Sequence, residues 1–203
     1  MRFIFCSILL MCSITVSAQI GARFFTEIPL EGSPAFFDQS YGGELLYIMP
    51  IDRKERFSAR AGVSVLNHQF KYREVPDYAI IIDNNPPIAY EGVTEHERYQ
   101  EIFASVGGNC NLVNMDAFKA YVGADFLIGI FQYKYRSEID NVSNRDVVED
   151  GSIFGYRLRA GIGYFPIETI QVLAETHWGK RSHAGWDGWP ALDFGAGLVY
   201  YFN

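Results

Sequence analysis

From Leu192 to Phe202 the chain places an apolar side chain at every even position, while the odd positions carry Asp193, Gly195, Gly197, Val199 and Tyr201. Side chains alternate across a β-strand, so this closing segment has one wholly apolar face and one small or polar face. That pattern suits a strand with hydrocarbon on one side and protein on the other.

An apolar strand ending on an aromatic, with Leu198, Tyr200 and Phe202 in phase, resembles the C-terminal insertion signal of bacterial outer-membrane β-barrels. The resemblance implies handling by the barrel-assembly machinery. The other end of the chain agrees: Arg2 precedes an apolar stretch from Phe3 to Met11, and Val16-Ser17-Ala18 forms a small-residue cleavage site before Gln19. Residues 1–18 therefore read as a signal peptide and 19–203 as one barrel domain. The apolar stretch is well short of the ~20 residues of a spanning helix, and Met11 before Cys12 does not suit a lipoprotein signal.

Without the leader, Cys110 is the only cysteine, which excludes an intrachain disulfide. The formal net charge is −7, one unit more negative without Arg2, and no basic run exists, so nucleic acid is excluded as a partner. Aromatics make up 16% of the chain, as interfacial Tyr and Trp of a β-rich membrane protein require.

Period-2 segments bounded by turn residues occur at Ala18–Glu27, Gln39–Met49, Arg56–Phe70, Arg98–Asn111, Ala117–Tyr135, Ser152–Phe165, Thr169–Trp178 and Pro190–Phe202. Each reaches the ~9 to 11 residues that a tilted strand needs to cross a bilayer. Short connections follow the second, fourth and sixth segments, at Pro50–Glu55, Leu112–Asp116 and Pro166–Glu168, and longer loops follow the others. The expectation is an all-β, eight-stranded antiparallel transmembrane β-barrel, both termini periplasmic and long loops outside the cell.

Outward positions such as Phe24, Leu45, Val63, Val106, Phe126, Leu158 and Val172 carry no charge in this register. A charge there would cost roughly 2 to 4 kcal/mol at the bilayer midplane. Inward positions carry Arg23, Glu44, Arg60, Glu101, Lys119, Asp125, Arg157, Arg159, Glu175 and Asp193, five basic against five acidic. Because the interior of eight strands is only wide enough for side chains, these ten are expected to form one salt-bridged plug rather than a pore. The arrangement resembles the small OmpA/OmpX-type barrels over the whole mature chain. Nothing after the last strand corresponds to the periplasmic domain of OmpA, so cell-wall anchoring is not implied.

The longest loop, Lys71–Glu97, contains Tyr78, Ile80, Ile81 and Ile82, an Asn84-Asn85-Pro86-Pro87 turn, then Ile88 and Tyr90. This reads as a hairpin standing beyond the membrane, with an edge able to accept a partner strand. The last loop, Gly179–Trp189, carries Lys180, Arg181, His183, Trp186 and Trp189, residue types that hold lipopolysaccharide phosphates and sugars or serve as interfacial girdle. His177 with Glu175 reads as part of the interior network, and Cys110 as a small lipid-facing filler.

Some eight-stranded barrels that this chain resembles are lipid A acyltransferases or deacylases, which implies a histidine-activated serine near the outer leaflet. The candidates are His68, His96, His177 and His183, Ser64 and Ser182, Glu175 and Asp187. No spacing unites them, and none supports metal ligation by His183, Asp187 and Glu97. The chain is thus expected to need no cofactor and to be non-enzymatic: a structural, adhesion or partner-binding barrel contacting lipid, lipopolysaccharide and another outer-membrane or surface protein. A lipid A-modifying enzyme is the alternative, and a narrow channel comes last because the inward charges balance.

Overall fold

A computed structural model describes residues 19–30, 37–52, 54–81, 88–139, 143–183 and 186–202. Among the described residues nine strands run in chain order: β1 (Gln19–Pro29), β2 (Phe37–Pro50), β3 (Phe57–Phe70), β4 (Glu74–Ile81), β5 (Ile88–Met115), β6 (Phe118–Ile139), β7 (Ser143–Ile167), β8 (Ile170–His183) and β9 (Trp186–Tyr201). Every pairing is antiparallel. Two pairings close the ring. Gln19 on β1 faces Tyr201 on β9, and β3 lies along β5 from Phe57↔Cys110 to His68↔Tyr99. The barrel therefore has eight strands, with β4 outside it. Closure leaves no sheet edge exposed to hydrocarbon.

Both described chain ends and the tight turns lie at one end, the terminal end. Asp116–Ala117 joins β5 to β6, Glu168–Thr169 joins β7 to β8, and 51–56 joins β2 to β3. In this last turn Glu55 adopts a left-handed φ of 51°. Asp52 secures it by accepting bonds from Glu55 N (3.0 Å) and, through its carboxylate, from Phe57 N (2.7 Å).

The far end departs from the expected long loops. The segment read as a loop between the fifth and sixth strands is a continuation of the ladder, with β6 running to Ile139 and β7 starting at Ser143. Gly179–Trp189 is likewise strand on both arms, β8 reaching His183 and β9 starting at Trp186. Continuing the ladder satisfies N–H and C=O groups that a loop would leave to water. The expected hairpin is present but longer: β4 pairs with the first part of β5 from Glu74↔Glu95 to Ile81↔Ile88. Gly92–His96 of β5 pairs in turn with Tyr135–Ile139 of β6. A four-stranded sheet, β4-β5-β6-β7, thus stands above the barrel rim.

Outward side chains in the barrel wall are apolar and exposed, Phe24 at 78% and Phe126 at 80%. The outward charges Arg98, Lys134, Asp150 and Lys180 come only toward the far end. Inside, glycine is needed where rings cross the lumen. A Cβ on Gly161 would lie 2.6 Å from the Tyr121 ring, and one on Gly42 would collide with Phe25.

Candidate functional site

The strand period sends odd-numbered residues of β1, β5, β6, β7, β8 and β9, and even-numbered residues of β2 and β3, into the lumen. They stack as alternating apolar and ionic tiers. Leu46, Ile48, Leu173 and Val199 form an apolar layer toward the terminal end, and Phe25, Leu66, Phe103 and Leu127 form a second one further along.

Between these layers lies the central ionic tier of four arginines and four carboxylates. Arg23 bonds Glu44 (3.2 Å) and Asp193 (2.8 Å). Arg60 grips Glu175 (2.5 and 3.1 Å) and reaches Glu44 (3.2 Å). Arg157 bonds Asp125 (2.7 Å) and Glu44, and Arg159 bonds Asp125 and Asn109 (3.0 Å). Tyr121 OH donates to Glu175 (2.8 Å), while His177 sits between Glu175 (3.1 Å) and Asp193 (3.2 Å). Every one of these side chains is buried. Pairing is what makes that tolerable, since an unpaired buried ion costs several kcal/mol.

Two of the ten expected network members lie elsewhere. Glu101 belongs to an upper tier beyond the second apolar layer. There it meets Arg181 (2.8 Å), His68 (3.0 Å) and His183 (2.8 Å), and Arg181 also holds Glu27 through two 2.6 Å bonds. The separating layer touches both tiers: Arg23 lies over the Phe25 ring at 4.6 Å and Arg181 over Phe103 at 5.7 Å. Lys119 closes the terminal mouth instead. Its ammonium is 2.5 Å from Glu55 and lies over Phe165 and Tyr201 at 5.1 and 5.2 Å.

Arg181, His183 and Trp189, assigned by sequence to an outer loop or girdle, are inside the barrel. Trp189 is 1% exposed and stacks on His183 at 4.4 Å, within an aromatic cap that includes Phe37, Tyr99, Phe131 and Tyr133. The two-residue period running on from Glu175 through His177 and Gly179 would have revealed Arg181 and His183. Trp178, by contrast, faces outward and is 41% exposed.

Ser40 Oγ lies 2.8 Å from His68 Nδ1, and His68 Nε2 lies 3.0 Å from Glu101. These are the distances of a nucleophile relay. Ser40 is wholly buried inside the lumen, however, so no acyl chain in the membrane reaches it. The chain of bonds satisfies a buried histidine and an acid. Among the described residues no group of His, Cys, Asp or Glu is arranged to hold a metal ion.

On the projecting sheet, Tyr78, Ile80 and Ile81 lie in β4 and Ile88 and Tyr90 in β5, while Ile82 falls outside the described residues. Thr94 Oγ1 and Ser137 Oγ both donate to Asp77 (2.8 and 3.3 Å), binding β4, β5 and β6 together. Arg136 donates to Asp146 (2.8 Å), which holds that carboxyl below its ordinary range. Burial against Phe70 lowers His96. At the other end of the molecule, Leu198, Tyr200 and Phe202 are outward and about half exposed.

No protein-family model and no curated protein sequence matches the chain. Solved structures do. Neisserial surface protein A is 11% identical, with a TM-score of 0.54 over 92% of this chain and 97% of its own. A major outer membrane protein from Thermus thermophilus is 10% identical, with a TM-score of 0.56 over 91% and 99%. Ail, the attachment invasion locus protein of Yersinia pestis, is 12% identical, with a TM-score of 0.50 over 92% and 99%. At these identities the likeness is one of architecture. The chain has the fold of the small outer-membrane β-barrel proteins, of the OmpA/OmpX type.

Proposed function

We propose that this chain is a non-enzymatic outer-membrane protein that works through the sheet projecting from its far end, as a structural, adhesion or partner-binding barrel with a closed lumen. One observation carries the reading: the interior is committed to paired charges and packed rings, while the sheet β4-β5-β6-β7 extends past the rim with no role in closing the barrel. Ail, of like fold, is named the attachment invasion locus protein, which supports a surface role.

The rest of the reading goes with this proposal. Residues 1–18 export the chain as a signal peptide, both termini lie in the periplasm, and the projecting sheet faces outward. Leu198, Tyr200 and Phe202 address the last strand to the barrel-assembly machinery. The apolar wall meets lipid, and Lys180 with Trp178 meets lipopolysaccharide at the outer rim. The hairpin residues Tyr78, Ile80, Ile81, Ile82, Ile88 and Tyr90 contribute to the partner surface.

Removing Asp77–Glu91 tests this reading, because the barrel-closing pairs end at His68↔Tyr99 and the deleted segment lies beyond them. The variant is expected to keep its heat-modifiable gel shift and to lose surface or partner binding. Lipid A mass spectra of the deletion strain and of His177→Ala and His183→Ala strains are expected to match wild type. A changed acylation pattern reproduced by either histidine variant would favour the enzyme.

A further inference from the structure

Lys119 and Glu55 stand at the lip of a cavity of about 30 Å³ in the terminal mouth, walled by Gln19, Ser58, Asn109 and Gln171. Space of this size holds two or three waters or one small ion, since ~10–15 Å³ suffices for a single water. Ile48 of the terminal apolar layer lines it, and Tyr121 and Asn109 bond the central tier behind it. The cavity is therefore a blind pocket. Bonds along its walls fix which polar ends remain to face it. Arg159 donates to Asn109 Oδ1 from Nε (3.0 Å) and Nη2 (2.5 Å), so the Asn109 amide turns its NH2 elsewhere. Tyr201 OH donates to Gln171 Oε1 (3.0 Å), which leaves the NH2 as the donating end of Gln171. Tyr121 OH is committed to Glu175, and Asn111 Nδ2 to Glu55 O. Gln19 and Gln171 are each 3% exposed, and among the described residues the Gln19 and Ser58 side chains bond no other group. Buried polar groups are ordinarily satisfied, and with the Lys119 ammonium this wall supplies more donors than acceptors.

We propose that the terminal mouth is a binding site for a small inorganic anion of halide size, held by the Lys119 ammonium and the amide NH2 groups of Asn109 and Gln171. A halide accepts hydrogen bonds and donates none, which suits a donor-rich wall, whereas each water brings two hydrogens that need acceptors of their own. A cation would meet the ammonium and is disfavoured. Sulfate and phosphate, with four oxygens around a central atom, exceed the space. Charge is balanced by exchange. Glu55 holds Lys119 at 2.5 Å with its side chain 38% exposed, so the anion takes the ammonium while the carboxylate turns to water.

The test is chloride NMR line broadening by the purified barrel in a neutral detergent, with gluconate holding the ionic strength constant. Wild type is expected to broaden the chloride line saturably, and bromide is expected to displace the ion where sulfate does not. Lys119→Met is expected to weaken binding at least tenfold. So is Gln171→Glu, which keeps an acceptor for Tyr201 but puts a carboxylate oxygen in place of the NH2. Glu55→Gln removes the competing carboxylate and is expected to tighten binding at least threefold, a gain that unfolding cannot produce. The heat-modifiable gel shift verifies that each variant is folded. Four results would each overturn the site: no saturable broadening in wild type, equal displacement by sulfate, wild-type binding in Lys119→Met or Gln171→Glu, or weaker binding in Glu55→Gln.

Discussion

Arg60 on β3 and Glu175 on β8 lie on strands that are not neighbours in the sheet, yet the guanidinium takes both carboxylate oxygens across the lumen at 2.5 and 3.1 Å. The pair acts as a strut between opposite walls, and both side chains are completely buried. Arg60→Ala leaves the buried Glu175 with fewer partners. The expected loss is about 3 to 5 kcal/mol, the range for breaking a buried pair from one side. Urea unfolding in lipid vesicles measures it.

The tiers predict which losses add. Arg157→Ala and Asp125→Ala remove two ends of one 2.7 Å bond, so their combined cost should fall short of the sum. Arg60→Ala and Arg181→Ala act on different tiers, separated by Phe25, Leu66, Phe103 and Leu127, and their costs should add within about 0.5 kcal/mol. Double-mutant cycles on the same unfolding assay check both statements.

Lys119 should be the least costly of the ten charges to remove. Its partner Glu55 is 38% exposed at the terminal mouth, where water screens the pair. Lys119→Met, which keeps the side chain over Phe165 and Tyr201, should cost less than about 1 kcal/mol. A loss comparable to that of Arg60→Ala would place Lys119 in the ionic core.

How much of this was legible in the sequence depends on which dimension is asked about. Alternation across each strand revealed the eight barrel strands and the sign of each face, because lipid tolerates no outward charge. Height along the barrel was not legible. It depends on the stagger between strands, and that stagger puts Glu101 a tier above Glu175 and leaves Lys119 at the mouth. Glu27 was missed because it stood at the end of its strand window. Arg181, His183 and Trp189 were missed because Gly179 and the polar residues after it read as a loop, although their spacing kept the strand period. Ser40 and His68 carry no local motif, since the register of β2 on β3 is what brings them together.

Tyr200 and Phe202, whose rings sit 5.0 Å apart on the lipid face, are expected to matter for assembly more than for final stability. Deleting 202–203 should lower the amount of folded barrel recovered from outer membranes, while the same variant refolds from urea into detergent with nearly wild-type yield. Equal recovery from cells would remove the insertion role from this end.

Conductance of the purified protein in planar bilayers tests the closed lumen most directly. Four arginines and four carboxylates fill the central tier, and an aromatic cap lies above. Wild type should therefore be electrically silent, with Arg157→Ala admitting at most brief, small openings. A large and stable unitary conductance from the wild-type barrel would contradict the account.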